Sequence, residues 1–143
     1  MRLVLDTNVV IAGLLWHGTP RRLLERTIDD DAIELYSSPA LIDELGNALG
    51  YPKFAQRIAR YETTVEALVA QYRALLILVS PIHTPRAVTR DPDDDELLAL
   101  GFAAQVDLMV SGDDDLLTLR TFRDIPIVSA AEAISRLAQT SRS

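Results

Sequence analysis

Two apolar runs in this chain end in carboxylates. Leu3-Val4-Leu5 leads straight into Asp6, and Leu108-Met109-Val110-Ser111-Gly112 leads into Asp113. Each reads as a buried β-strand with an acid at its carboxyl end. In an open parallel sheet, ligands bind just beyond the carboxyl ends of the strands. Two acids delivered there from opposite ends of the chain predict one shared acidic site. Clustered carboxylates repel one another, so such a site calls for a hard divalent cation.

The intervening sequence alternates strand and helix patterns. A strand is predicted over residues 2–6 and a helix over residues 8–15. A second helix starts at Thr19-Pro20, with Thr19 as cap, and runs to about Asp29. Ile33-Glu34-Leu35-Tyr36-Ser37 alternates as a half-buried strand does. Ser38-Pro39 opens a helix that Gly50 or Pro52 ends. Residues 53–75 suggest two helices, residues 75–79 a third strand, and the proline-rich residues 80–92 a loop. A helix over residues 93–104 and a strand over residues 107–111 follow, then a helical turn near Leu116. Ile125-Pro126-Ile127-Val128 reads as a fifth strand, placed at an edge by its proline. Ser129 caps a last helix reaching about Leu137, after which the end is expected to fray. This alternation predicts an α/β fold: a parallel sheet of about five strands between two helical layers.

The 143 residues, 48% of them hydrophobic, suit one domain over residues 1–143. There is no cysteine, which excludes disulfides and thiolate metal sites. No basic segment leads into an apolar run at the start, so no signal peptide is expected. No apolar stretch reaches about 18 residues, so no membrane span is expected either. A cytoplasmic location follows as the expectation. The net charge of −7 argues against a surface that coats nucleic acid, though not against an enzyme that cuts it. Thirteen arginines against the single Lys53 favour bidentate phosphate contacts or, equally, ordinary solvated charge.

Four acidic positions stand out. Asp6 is followed by Thr7 and Asn8, small polar residues able to support a metal ligand, although Asp6 is equally placed to cap a helix. On a helix starting at Ser38, Glu44 flanks the apolar face of Leu41, Ile42, Leu45 and Leu49, while Asp43 points away. The run Asp91-Pro92-Asp93-Asp94-Asp95-Glu96 holds more acids than a helix dipole needs. Asp94 and Asp95 are its best ligand candidates, either able to point inward. Asp113-Asp114-Asp115 follows the second acid-ended strand, with Ser111 supplying a hydroxyl beside it. His17 and His83 sit in expected loops with no recognisable acid partner.

Four blocks in order resemble the PIN-domain family, of the kind found as VapC-like toxins. They are Val4-Leu5-Asp6-Thr7-Asn8-Val9, Ser38-Pro39-Ala40-Leu41-Ile42-Asp43-Glu44-Leu45, Arg90-Asp91-Pro92-Asp93-Asp94-Asp95-Glu96-Leu97-Leu98, and Val110-Ser111-Gly112-Asp113-Asp114-Asp115-Leu116. The resemblance implies a PIN-like three-layer α/β/α sandwich and a magnesium- or manganese-dependent ribonuclease. It implies catalytic Asp6, Glu44, Asp95 and Asp113, with Asp94 and Asp115 as further metal ligands and Thr7, Asn8 and Ser111 in support. It also implies an RNA substrate, an antitoxin partner and a homodimer, with the helices of residues 8–29 and 53–75 as the dimer surface. Two other readings compete. A haloacid-dehalogenase-type phosphatase would use Asp6, Ser37, Lys53 and Asp113-Asp114, but Asn8 stands where it needs a second aspartate. A PIN-fold binding module would have a weak or unused nuclease site.

Overall fold

The computed structural model describes residues 1–81 and 92–141. Six strands form one sheet: β1 (Arg2–Leu5), β2 (Glu34–Ser37), β3 (Leu76–Leu78), β4 (Leu108–Val110), β5 (Thr121–Phe122) and β6 (Ile125–Val128). Their order is β3-β2-β1-β4-β6-β5, parallel except for β5. The helices are α1 (Thr7–Leu15), α2 (Thr19–Asp29), α3 (Pro39–Leu49), α4 (Pro52–Arg60), α5 (Val65–Arg73), α6 (Pro92–Ala104), α7 (Asp114–Leu119) and α8 (Ala130–Ser141). The expected loop over residues 80–92 falls largely, and the last two residues of the expected frayed end wholly, outside the described residues.

Strand alternation builds a core on each face of the sheet. Leu3, Leu5, Leu35, Leu108, Val110 and Val128 face one way and pack against α1, α2, α5 and α8. Val4, Tyr36, Met109 and Ile127 face the other and pack against Leu97, Leu98 and Leu100 of α6 and Leu116 of α7. Successive side chains on a strand point to opposite faces, so these continuous apolar runs require helices on both sides. Gly101 lets α6 lie close on β4, because a Cβ there would meet the Met109 side chain.

Helix α3 joins the two layers. Its Leu41 belongs to the α6 side and its Leu45 and Leu49 to the α1 side. It packs against both α1 and α6. Ser38 caps it, with the Leu41 amide donating to the Ser38 hydroxyl at 3.2 Å.

Two expectations are corrected, the cap of α2 and the edge position of β6. Gly18, not Thr19, caps α2: it adopts φ 154°, a conformation that favours glycine, and its carbonyl accepts the first helical bond from Arg22 at 3.0 Å. Five strands run parallel, as expected, and β5 adds a sixth, antiparallel one. And β6 is not the edge, because β5 pairs antiparallel along its outer side. Pro126 is tolerated there because the Ile127 amide points outward to the Arg120 carbonyl, at 2.8 Å. By alternation the Pro126 nitrogen faces β4, one residue before the β4 pairing begins at Ile127.

Candidate active site

The chain leaves β1 toward β2 on one side, and later returns through α6 to β4 on the other. The carboxyl ends of β1 and β4 therefore flank a topological switch point, where open α/β sheets place their ligands. Asp6 and Ser111 lie one residue beyond these two strands. The Asp6 amide extends the ladder by donating to the Val110 carbonyl at 2.8 Å.

Asp6 occupies the cap position of α1, yet its carboxylate makes no capping bond. It accepts instead a hydrogen bond from the Ser111 hydroxyl, 2.8 Å away. The same hydroxyl oxygen accepts from the Asp113 amide at 3.0 Å. One buried serine thus fixes the Asp6 side chain and the backbone that carries Asp113. Asp113 itself caps α7, accepting from the Leu116 amide at 3.4 Å. The cap and ligand readings of Asp113 are compatible, since a carboxylate has two oxygens. The Asp6–Ser111–Asp113 connection depends on strand adjacency, which no local sequence pattern displays.

Asp94 and Asp95 open α6, which packs on β1, β2, β4 and α3. Both are buried, at 6% and 5% exposure, and Asp6 is buried at 8%. Adjacent helical residues point about 100° apart, so burying both requires a helix enclosed on most sides. Leu97, Leu98, Ala99 and Leu100 are buried as well, which meets that requirement. Carboxylates held below a tenth exposed need hydrogen-bonding or cationic partners, and the Ser111 hydroxyl is one of them for Asp6. Glu44 is half-buried on α3 and Asp43 is exposed, as the helical wheel predicts. Thr7 is buried and Asn8 exposed at the start of α1. Asp114 and Asp115 are exposed. His17 is exposed too, and His83 lies outside the described residues.

The structure thus joins Asp6, Ser111 and Asp113 directly. It places Asp94, Asp95 and Glu44 on the two helices that pack beside them. Among the described residues, no three acids or histidines are closed into a group able to hold a metal ion. The donor chemistry nevertheless fits a hard cation: the acids offer oxygen alone, several of them are buried, and a hydroxyl orients one.

A PIN domain family profile matches residues 2–115. An uncharacterised protein of Methanocaldococcus jannaschii, MJ1680, is 26% identical over 121 residues, which span 84% of this chain and 76% of that protein. Among solved structures, the fold matches a chain in the crystal structure of VapBC2 from Rickettsia felis bound to a DNA fragment from their promoter. That match has a TM-score of 0.62 at 11% identity and covers 90% of this chain and 98% of the other. Profile, sheet order and switch-point acids agree, and they leave no place for the phosphatase reading: the chain belongs to the PIN domain family.

Proposed function

We propose that this protein is a metal-dependent endoribonuclease, the toxin of a VapC-like toxin–antitoxin pair. The observation that carries the reading is the Asp6–Ser111–Asp113 connection at the switch point, with buried Asp94 and Asp95 on the adjoining helix. Several buried carboxylates brought to one end of the sheet repel one another, and a bound cation would offset that repulsion. Membership of the PIN family and the likeness to VapBC2 support the nuclease and toxin roles.

In this reading Asp6, Glu44, Asp95 and Asp113 hold the ion, with Asp94 and Asp115 as further ligands. Magnesium or manganese, when bound, would lower the pKa of a water and offset charge on the scissile phosphate. Ser111 keeps Asp6 in one rotamer, so the ligand is oriented before the ion arrives. Thr7 is packed behind Asp6, and Asn8 offers an amide to the substrate. An antitoxin would cover this acidic edge, and an arginine on it would pair with the carboxylates. A homodimer would use α1, α2 and α5, which border an open cavity of about 240 Å³ with Leu24, Ile28 and Leu75 in its wall. No helix among the described residues is long and apolar enough to cross a membrane. We place the protein in the cytoplasm, with its RNA substrate.

The test is incubation of purified protein with a mixed RNA pool and magnesium, followed by mapping of the cut ends. Discrete cuts that disappear in chelator are expected. An uncut pool, with magnesium leaving the melting temperature unchanged, would favour the binding-module reading.

A further inference from the structure

The carboxylates stand at one end of α1, and a different chemistry stands at the other. Leu15 ends the helix, and its carbonyl accepts from Arg57 Nε at 2.7 Å and from the Tyr61 hydroxyl at 3.0 Å. The Arg57 guanidinium lies 5.2 Å from the Trp16 ring centroid and 5.5 Å from that of Tyr61. Phe54 meets the Trp16 ring edge-on at 6.0 Å. These contacts fix the indole, yet they leave it 40% exposed, with Tyr61 at 41% beside it. Lys53, Arg57 and Arg60 supply three cations along α4. None of them forms an ion pair among the described residues, whereas Arg21 and Arg26 on α2 do.

A cleft opens between the two ends. Asn8 and Ala12, one turn apart, share a face of α1, and Trp16 follows the last residue of that helix in extended conformation. The open cleft, of about 380 Å³, lies over that face, bounded by Asn8 and Ala12 of α1, by Gly112 and Asp113 beside the carboxylates, and by Pro20 just past the loop that carries Trp16.

We propose that Trp16, held by Arg57 and Phe54, is a stacking subsite for an unpaired base of RNA whose backbone passes along α1 toward the carboxylates. An immobilised, half-exposed indole with Arg57 against it and further cations along the same helix, none in an ion pair among the described residues, suits single-stranded nucleic acid: the ring takes the base and the cations take the phosphates. The subsite rests on the ribonuclease reading and extends it to substrate positioning. Arg57 is a positioning residue; Trp16 touches the substrate.

Trp16 is the single tryptophan of the chain, so its emission reports the subsite directly. The experiment titrates the protein in chelator with a fluorescein-labelled single-stranded RNA oligonucleotide, following anisotropy for binding and tryptophan emission for stacking. Saturable quenching that tracks the anisotropy is expected. A duplex of the same sequence should quench far less, because its bases are already stacked. In magnesium, Trp16→Ala should raise KM on the order of ten- to a hundredfold with kcat nearly unchanged, and Trp16→Phe should recover most of the loss. Binding without quenching, or equal quenching by duplex, would overturn the subsite and leave the ribonuclease reading standing. Emission that shifts on concentrating the protein but not on adding RNA would make the patch a contact between copies, which also overturns it. Absence of both binding and cleavage would overturn the two readings together.

Discussion

Helices α2 and α6 carry charge in opposite ways. On α2 the charges face solvent and pair with one another. Arg21 reaches Glu25 at 3.6 Å and Arg26 reaches Asp30 at 2.8 Å, each one turn apart. Only Leu23, Leu24 and Thr27 of α2 are buried. Helix α6 is apolar on nearly every side, yet its first turn buries Asp94 and Asp95. Exposed pairs at this spacing contribute a few tenths of a kcal/mol and can be exchanged freely. Buried acids lose their hydration and depend on the groups packed around them, so they cannot be exchanged freely. The contrast is between charge that solvent holds and charge that the fold itself must hold, where the proposed cation site lies.

The largest effect should come from Asp6. We expect Asp6→Asn to abolish RNA cleavage while the melting temperature holds or rises, since one buried negative charge is removed. A variant that cuts RNA normally would place the chemistry elsewhere. Next come the α6 acids. Asp95→Asn and then Asp94→Asn should weaken magnesium binding, measured by calorimetry, because magnesium tolerates a lost or misplaced oxygen poorly. Two wild-type affinities would make the first turn of α6 resemble α2 after all.

Ser111→Ala tests orientation rather than ligation. It should lower metal affinity or activity by about 10- to 100-fold. Ser111→Thr, which keeps the hydroxyl, should recover much of it if the extra methyl is accommodated. A silent alanine would mean that strand packing alone orients Asp6. The smallest effect belongs to α2. The hydrogen bond from Arg26, and then the Ala32 amide, hold the Asp30 carboxyl below its ordinary value. A depressed acid contributes stability that is present above its unfolded pKa, near 3.8, and is lost as pH falls through the lower folded value. Asp30→Asn should therefore barely change melting at neutral pH and should flatten a slight decline below about pH 4. A large loss at pH 7 would overturn the surface reading of α2.

The sequence makes some of this legible and hides the rest for physical reasons. Strands β1 and β4 announce themselves because runs such as Leu3-Val4-Leu5 are buried on both faces. Glu44 and Asp43 separate on a helical wheel because Leu41, Ile42, Leu45 and Leu49 define the buried side. The β5–β6 hairpin stays hidden. Its strand β5 has two residues, and its turn places Arg123 and Asp124 at φ 49° and 68°, where Asn-Gly or Asp-Gly is the usual signal. Asp94 and Asp95 cannot be ranked locally, since both are buried by whatever encloses α6. The Trp16 cluster had a readable trace in the spacing of Phe54, Arg57 and Tyr61 on one side of α4. Its partner on α1 comes from a distant part of the chain.

The central claim is that the switch-point acids form one cation site. Manganese calorimetry on the wild-type protein and on Asp6→Asn, at matched concentration and with melting curves for both, tests it most directly. The account predicts saturable binding by the wild type and a sharp loss in Asp6→Asn, which stays folded. Equal binding by the two proteins would contradict it, and so would no binding by the wild type.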